Sequence, residues 1–507
     1  MHRGERRRRS PGRFPRSTAA RAAALGWACA VLVVAGCTTV VDGRAVSMLY
    51  DPLRVGGLPV TGGPSGPREN APPPTGKVYN TDGGAADKLA LLAINDVEQF
   101  WQQTYNNLLK GTFTPIHRLI SYDSNNPSSV SICGRDTYHF ANAFYCRHDK
   151  VMAWDRGELV PAAQRLFGDM SVPALIAHEY GHAVQQMAGL INRETPTIVA
   201  EQQADCFAGV YLRWVAEGHS PRFTVSTGDG LDQVLAGVIA IRDPFLTPQD
   251  TQLIDQGHGT AAERVSAFGK GFIRDAAACA AIDMEELKDR RGDLPMPQQS
   301  KPNGEAETKE LAISEDTVAT LMATLGKIFS PKQAPVLSVD RARCPDGQAN
   351  SPASYCPATN AVVVDLPALQ KIAAPPNISD HAVLQGIVPL QGADTALSVV
   401  MSRYLLALER ERGLPLATPT AAVLTACLTG VAHRKMAEPV NLASGHSLVM
   451  TAGDIDEAAA GLLSNGLVAS DVKGTTVPAG FTRMTAFAFG FLGTEELCYQ
   501  RLRASSA

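Results

Sequence analysis

The chain runs to 507 residues, more than one hydrophobic core usually fills, so two domains are the starting expectation. Its composition, 45% hydrophobic, 19% charged and 6% aromatic, excludes a disordered, collagenous or polytopic membrane protein. The formal charge of -4 becomes -11 without residues 1–36, with 38 basic against 49 acidic residues left, which argues against nucleic acid as a partner of the mature chain.

In chain order, residues 1–21 are Arg-rich and are followed by an apolar run, AAALGWACAVLVVAG, up to Cys37. A basic stretch, a short apolar stretch and small residues before a break describe a secretory signal too short to span a membrane comfortably. The ending Val34-Ala35-Gly36-Cys37 resembles a bacterial lipobox, so residues 1–36 are expected to be a lipoprotein signal peptide. Cys37 would be the lipid anchor, and the chain is expected to sit exported, on the outer face of the cell membrane. Pro and Gly are dense over residues 54–86, and residues 37–87 read as a flexible tether.

The folded part opens with two cysteines, Cys133 and Cys146, the second followed by an apolar run ending at Asp155. Ser171–Met187 then reads as a helix, with Ser171 as its cap and Pro173 in its first turn. Within it lies HEYGH. His178 and His182 are four apart, so both imidazoles leave one face of the helix about a turn apart, within reach of a single zinc ion. Glu179 lies one residue round and can act on a zinc-bound water without ligating. Gly181 costs a helix about 1 kcal/mol relative to Ala, and close backbone approach beside the metal would be the return.

A second helix is expected to open at Thr195-Pro196 and to carry Glu201 and Asp205 on one face. Folded antiparallel to the first, it would bring Glu201 to the histidines as third metal ligand, with the fourth position open. Asp205 would accept the outer N–H of a ligand histidine. For stabilising the oxyanion, His258 in QGHGT is the first candidate and Tyr180 the second. His117, His139, His148 and His219 have no partner at ligand spacing.

The second half repeats the first in part. Cys344 and Cys356, followed by an apolar run to Asp365, echo Cys133, Cys146 and Asp155. Cys427 in TACLTGV echoes Cys206 in ADCFAGV. Phe268, Gly271, Phe272 and Cys279 share their spacing with Phe487, Gly490, Phe491 and Cys498, and Arg264 falls where Arg483 falls. The simplest pairing that respects the repeat is Cys133–Cys146, Cys206–Cys279, Cys344–Cys356 and Cys427–Cys498, as suits an oxidising compartment. Residues 88–295 and 311–507 are thus expected to be tandem homologous domains of an α+β, mainly helical class, joined by a polar linker at 296–310. Ser398–Leu406 takes the place of the HEYGH helix without a histidine. Ala422 and Ala426 stand for Glu201 and Asp205, and Val477 for His258, so the second domain should be a degenerate, metal-free copy. The recurrence of Arg264 as Arg483 favours a structural ion pair for both.

HEYGHAVQQ, EQQADCFAG, the preceding CG…AFYC and the trailing HGTAAERVSAFGKGF together resemble the neutral zinc metallopeptidase family over residues 90–280. The ligand pattern is also similar to gluzincins, and the whole chain to actinobacterial lipoprotein peptidases. The resemblance implies a zincin-like HExxH helix, a Zn2+ cofactor and a peptide or protein substrate outside the membrane. Two other readings share these residues: a non-catalytic envelope interaction protein with a structural zinc, its partner an envelope protein held by the C-terminal domain, and a zinc amidase acting on cell-wall amides.

Overall fold

A computed structural model describes residues 38–41, 44–47, 51–243, 253–292, 294, 311–339, 344, 352–374, 391–445 and 447–503. The signal peptide, Cys37 and the linker 296–310 lie outside the described residues. The fold is mixed α/β and mainly helical. Among the described residues no helix is long and apolar enough to cross a membrane.

The first half begins with strand β1 (Val78–Tyr79) and helix α1 (Ala85–Leu108). Strands β2 (Arg118–Tyr122), β3 (Ala143–Cys146) and β4 (Val151–Asp155) follow. The sheet order is β1-β2-β4-β3: β1 and β2 run parallel to their neighbours, and β3 is an antiparallel edge strand with Tyr145 opposite Met152. Asp155 ends β4 and accepts from the N–H groups of Gly157, Glu158 and Leu159, which starts helix α2 (Leu159–Phe167). Then come α3 (Ser171–Ala188), α4 (Thr197–Ala216), α5 (Asp229–Ala240), α6 (Ala261–Ile273), α7 (Ala276–Ala280) and α8 (Met284–Arg291).

The second half has α9 (Glu315–Phe329), β5 (Val336–Ser338), β6 (Ala353–Cys356), β7 (Ala361–Val364) and α10 (Leu366–Ala373). Helices α11 (Ala393–Glu411), α12 (Pro419–Lys435), α13 (Ala452–Ser464), α14 (Gly480–Leu492) and α15 (Glu495–Arg503) complete it. Its sheet has order β5-β7-β6, with β5 parallel and β6 antiparallel to β7 and Tyr355 opposite Val362. Asp365 caps α10 through the Ala368 N–H, as Asp155 starts α2.

One helix crossing occurs in both halves, and the glycines show why. A Cβ on Gly209 of α4 would lie 2.1 Å from the Phe268 carbonyl of α6, and one on Gly271 would lie 1.8 Å from the Cys206 carbonyl. Gly430 on α12 and Gly490 on α14 meet the Phe487 and Cys427 carbonyls at the same 2.1 Å and 1.8 Å. The backbones touch, and any side chain there would force them apart. All four cysteine pairs expected from the sequence lie at disulfide distance. Their Cα separations are 6.4 Å for Cys133–Cys146, 5.4 Å for Cys206–Cys279, 5.4 Å for Cys344–Cys356 and 6.0 Å for Cys427–Cys498. Four such pairs suit an oxidising, extracellular setting.

Two local expectations need correction. The Pro/Gly-rich segment, expected to be a free tether up to residue 87, lies against the fold from residue 51 on. Gly66–Pro67 pairs with Phe223–Thr224, the Thr61 N–H donates to Thr227 Oγ1 at 2.8 Å, and the Ser226 N–H donates to Ser65 Oγ at 2.9 Å. The segment also turns back on itself, Arg54–Val55 pairing with Leu58–Pro59, and further backbone groups pair with the neighbouring loop. The helix caps also shift by a residue or two. Ser171 is the first helical residue of α3 and its hydroxyl donates to the Gly168 carbonyl, while α4 starts at Thr197 and Thr195 bonds Asn192. The main apolar cluster, with Phe207 and Phe268 in one part and Tyr404 and Phe487 in another, runs through both halves, and smaller clusters form around Tyr122 and around Ile198.

Candidate metal centre

The site sits where α3 crosses α4. Both helices are buried along most of their length, and the polar side chains His178, His182, Gln185, Glu201 and Asp205 meet at the crossing. His178 Nε2 lies 3.2 Å from Glu201 Oε2, and His182 Nε2 lies 3.5 Å from Glu201 Oε1. The ligand atoms of His178, His182 and Glu201 all fall within 4.8 Å of one another, and all three residues are buried. Among the described residues no fourth His, Cys, Asp or Glu joins that set. The three sequence-expected ligands therefore converge.

Their supporting contacts are equally specific. His178 Nδ1 meets Asp205 Oδ1 at 2.8 Å, the contact expected of Asp205. The same Oδ1 accepts from Arg264 Nη2 at 2.8 Å, so Arg264 forms the structural ion pair its recurrence suggested, with the carboxylate that also meets the candidate ligand His178. Gln185, which carries no signal in the HExxH pattern itself, takes the matching role for the other histidine. Its Oε1 lies 3.1 Å from His182 Nδ1, and its Nε2 donates to the Ala200 carbonyl on α4. Helical spacing is the signal that could have found it: Gln185 is three residues after His182, on the same face.

Glu179 is buried beside the ligands, with Oε1 4.0 Å from His178 Nε2 and Oε2 accepting from the Tyr145 N–H of edge strand β3 at 3.1 Å. His258 Nε2 lies 3.9 Å from Glu201 Oε2, and its Nδ1 lies 3.4 Å from Asp243 Oδ1. Its side chain is 56% exposed, so it borders the site from the solvent side. Tyr180 is removed as a candidate. Two residues on from His178 it points about 200° away round the helix, and its hydroxyl is buried, donating to Glu98 at 3.0 Å. His117, His139, His148 and His219 do not join the set.

A family described as "Putative neutral zinc metallopeptidase" matches residues 25–282. The chain belongs to that family. It is also 29% identical over 217 residues to the uncharacterized protein YpfJ of Escherichia coli K12, which covers 38% of this chain and 70% of that protein. The uncharacterized protein Mb2605 of Mycobacterium bovis is 27% identical over 217 residues, 38% of this chain and 69% of its own length. No solved structure matches the chain.

The donor set fits the zinc that this metallopeptidase family implies. Glu201 Oε2 is buried and accepts no hydrogen bond. When His178 donates Nδ1–H to Asp205, its Nε2 lone pair faces that carboxylate, and two acceptors 3.2 Å apart need a cation between them. The electrostatics agree. Burial works against a charged His178, yet Asp205, then Glu201 and Glu179, push it up to about 10, so the three carboxylates draw a positive charge, a proton or equally a metal cation, to the place between the two acceptors. Burial likewise opposes ionisation of Glu201, and His182 and His178 nevertheless hold it well below the usual carboxylate range. Glu179 moves the other way, its carboxyl raised by burial against the pull of His178 and His182. A carboxylate raised in pKa beside a cation site is a competent proton acceptor. An apolar recess of about 90 Å³ adjoins His178 and Asp205, lined by Leu159, Phe167, Leu175 and Val238.

Proposed function

We propose that this chain is a zinc-dependent peptidase of the cell envelope, lipid-anchored at Cys37, that hydrolyses peptide bonds with Glu179 as general base. The observation that carries the reading is the pairing of a three-ligand buried set with Glu179, which stands beside the set and does not join it. A structural zinc calls for a fourth protein ligand and has no use for such a carboxylate.

His178, His182 and Glu201 would hold the ion, which when bound supplies a Lewis acid for the scissile carbonyl and for an attacking water. Asp205 and Gln185 accept from Nδ1 of the two imidazoles, which would leave both Nε2 lone pairs free to hold the ion. The Tyr145 N–H pins one oxygen of Glu179 and leaves the other on the His178 side. Glu179 takes a proton from water as oxygen adds to the carbonyl carbon, then returns it to the leaving nitrogen as the C–N bond breaks. His258 donates to the oxyanion from the solvent side.

We further infer that residues 311–507 are a metal-free copy of residues 88–295. The shared strand order, cysteine pairs and glycine contacts support this. Ala422 and Ala426 are buried where Glu201 and Asp205 would stand.

The deciding experiment compares the wild type with Glu179→Gln on a peptide library, with zinc content measured in parallel. The expected result is zinc retained in both and cleavage lowered about 100-fold or more in the variant. Equal cleavage by the two proteins would overturn the mechanism.

A further inference from the structure

His258 is the one proposed catalytic group not carried by α3 or α4, and its anchorage leads into the second half of the chain. Asp243 holds it from one side, with Oδ1 3.4 Å from His258 Nδ1 and Oδ2 accepting from the Gly259 N–H at 2.7 Å. The Asp243 N–H returns a bond to the Gly259 carbonyl at 3.0 Å, and Gln202 donates to the His258 carbonyl at 3.3 Å. On its other side the chain enters α6, whose first turn must find acceptors for N–H groups with no partner inside the helix. Thr260 and Glu263 satisfy each other's N–H in a capping box. The N–H groups of Ala261 and Ala262 donate instead to Asp456, at 3.0 Å and 2.9 Å, one to each carboxylate oxygen.

Asp456 belongs to α13, almost 200 positions along the chain, and is buried. It also faces Arg242 Nε at 3.7 Å, and Arg242 immediately precedes Asp243. One carboxylate of the second half thus grips both stretches that hold His258: Arg242–Asp243, just past the end of α5, and the start of α6. Burial pushes the Asp456 carboxyl up to about 7 against the pull of the Ala262 and Ala261 N–H groups and of Arg242; once ionised, its negative charge at a helix N-terminus is favourable, and burial removes the water that would otherwise compete.

We propose that Asp456 is a positioning residue for His258, and that the metal-free half of the chain serves the peptidase site as the clamp on that histidine. The proposal rests on the catalytic reading of the site. It explains why the second half keeps its scaffold and its packing against α6 after dispensing with ligands of its own.

The test uses the full chain without its signal peptide and three variants, Asp456→Asn, His258→Ala and the double substitution. Asp232→Asn serves as the control: Asp232 of α5 accepts from the Gly480 N–H at 3.0 Å across the same interface without touching the His258 segment. Asp456→Asn keeps the shape but turns an N–H group toward one of the two amides. It should speed hydrogen exchange at Ala261 and Ala262 about tenfold or more while zinc content is unchanged. It should also lower kcat about tenfold at constant KM, with no further loss in the His258→Ala background. Asp456→Glu, which keeps the charge but displaces it by a methylene, should give the same pattern should the Asn form fail to fold. Unchanged exchange at Ala261 and Ala262, equal loss in the His258→Ala background, or the same effects from Asp232→Asn would each overturn the positioning role. A wild-type protein that binds zinc yet cleaves no peptide would instead overturn the peptidase reading, and the exchange measurement would then decide the clamp by itself.

Discussion

Gly181 offers a test in which two physical effects predict opposite signs. It lies in the HEYGH turn of α3, where replacement by alanine should on helix propensity alone stabilise the protein by about 1 kcal/mol. Packing predicts the reverse. A Cβ at Gly181 would lie 2.9 Å from the Ala204 Cα and 3.2 Å from its Cβ, and the nearest atom is backbone that cannot rotate away. Relieving that contact requires α4 to retreat by about 0.5 Å, to ordinary van der Waals distance. Glu201 rides on α4 less than one turn from Ala204, so its carboxylate moves with it, and metal-ligand distances tolerate only about 0.2 Å. Gly181→Ala should therefore weaken zinc binding about 10- to 100-fold, the size seen when the support of a ligand is disturbed. Competition against a chelator of known affinity measures this directly, and thermal unfolding with excess chelator reports the metal-free fold. A variant with wild-type zinc affinity and a higher Tm would show that propensity outweighs the crossing, and the account of Gly181 would be wrong.

Three further outcomes follow from named contacts. Asp205→Asn leaves His178 without its carboxylate and Arg264 without its partner, so zinc affinity should fall about 10- to 100-fold with little change in secondary structure by circular dichroism. Burial pushes Glu409 up to about 8 against Thr425 and Arg403, so its protonated form is favoured in the fold. The stability it contributes is full below the ordinary glutamate value of 4.5 and is lost as pH rises through about 8. Glu409→Gln should abolish that decline and raise stability at pH 9 by a few kcal/mol in denaturant titrations, whereas an unaltered pH slope would contradict the burial argument. Replacing Cys206 and Cys279 by serine opens a loop whose ends are 73 residues apart, and the folded state should lose about 4 kcal/mol; an unchanged Tm would mean that the pair is not bonded.

How much of the fold and the site is legible in the sequence depends on how far each contact reaches along the chain. The metal site rests on helical periodicity: residues four apart share a face, so spacing alone pairs His178 with His182 and Glu201 with Asp205. The same arithmetic places Tyr180 on the far side of α3, toward Glu98, and so argues against it as an oxyanion donor. The cysteine pairs are readable because the chain contains its own comparison. Residues 51–84 are not, because a density of Pro and Gly is compatible both with a free tether and with an extended strip pinned by side chains such as Thr61 and Ser65. Asp456 is beyond reach of any local rule. An aspartate in the first turns of a helix reads as a favourable charge on its own helix, and only the tertiary fold reveals that it caps another.

The two halves also show how one scaffold meets the same electrostatic demand in two ways. Burying a carboxylate at a helix crossing is costly unless a positive charge comes with it. At the crossing of α3 and α4 the carboxylates of Glu179, Glu201 and Asp205 outnumber the fixed cations, since Arg264 is ion-paired to Asp205 and the imidazoles would be neutral as zinc ligands. That crossing is complete with an external cation. In the second half Asp394 of α11 is buried against His433 of α12, with Nε2 at 2.8 Å, while His433 Nδ1 lies 2.8 Å from the Thr429 carbonyl. An imidazole with an acceptor at each nitrogen carries both protons, so the charge is balanced from within. Burial opposes the charge on His433, and Asp394 restores it, raising its pKa. Asp394 thus has its cationic partner within the chain itself. The second half can hold its helices, and through Asp456 the start of α6, whether or not metal occupies the first, which is what a clamp on a metal-dependent site requires.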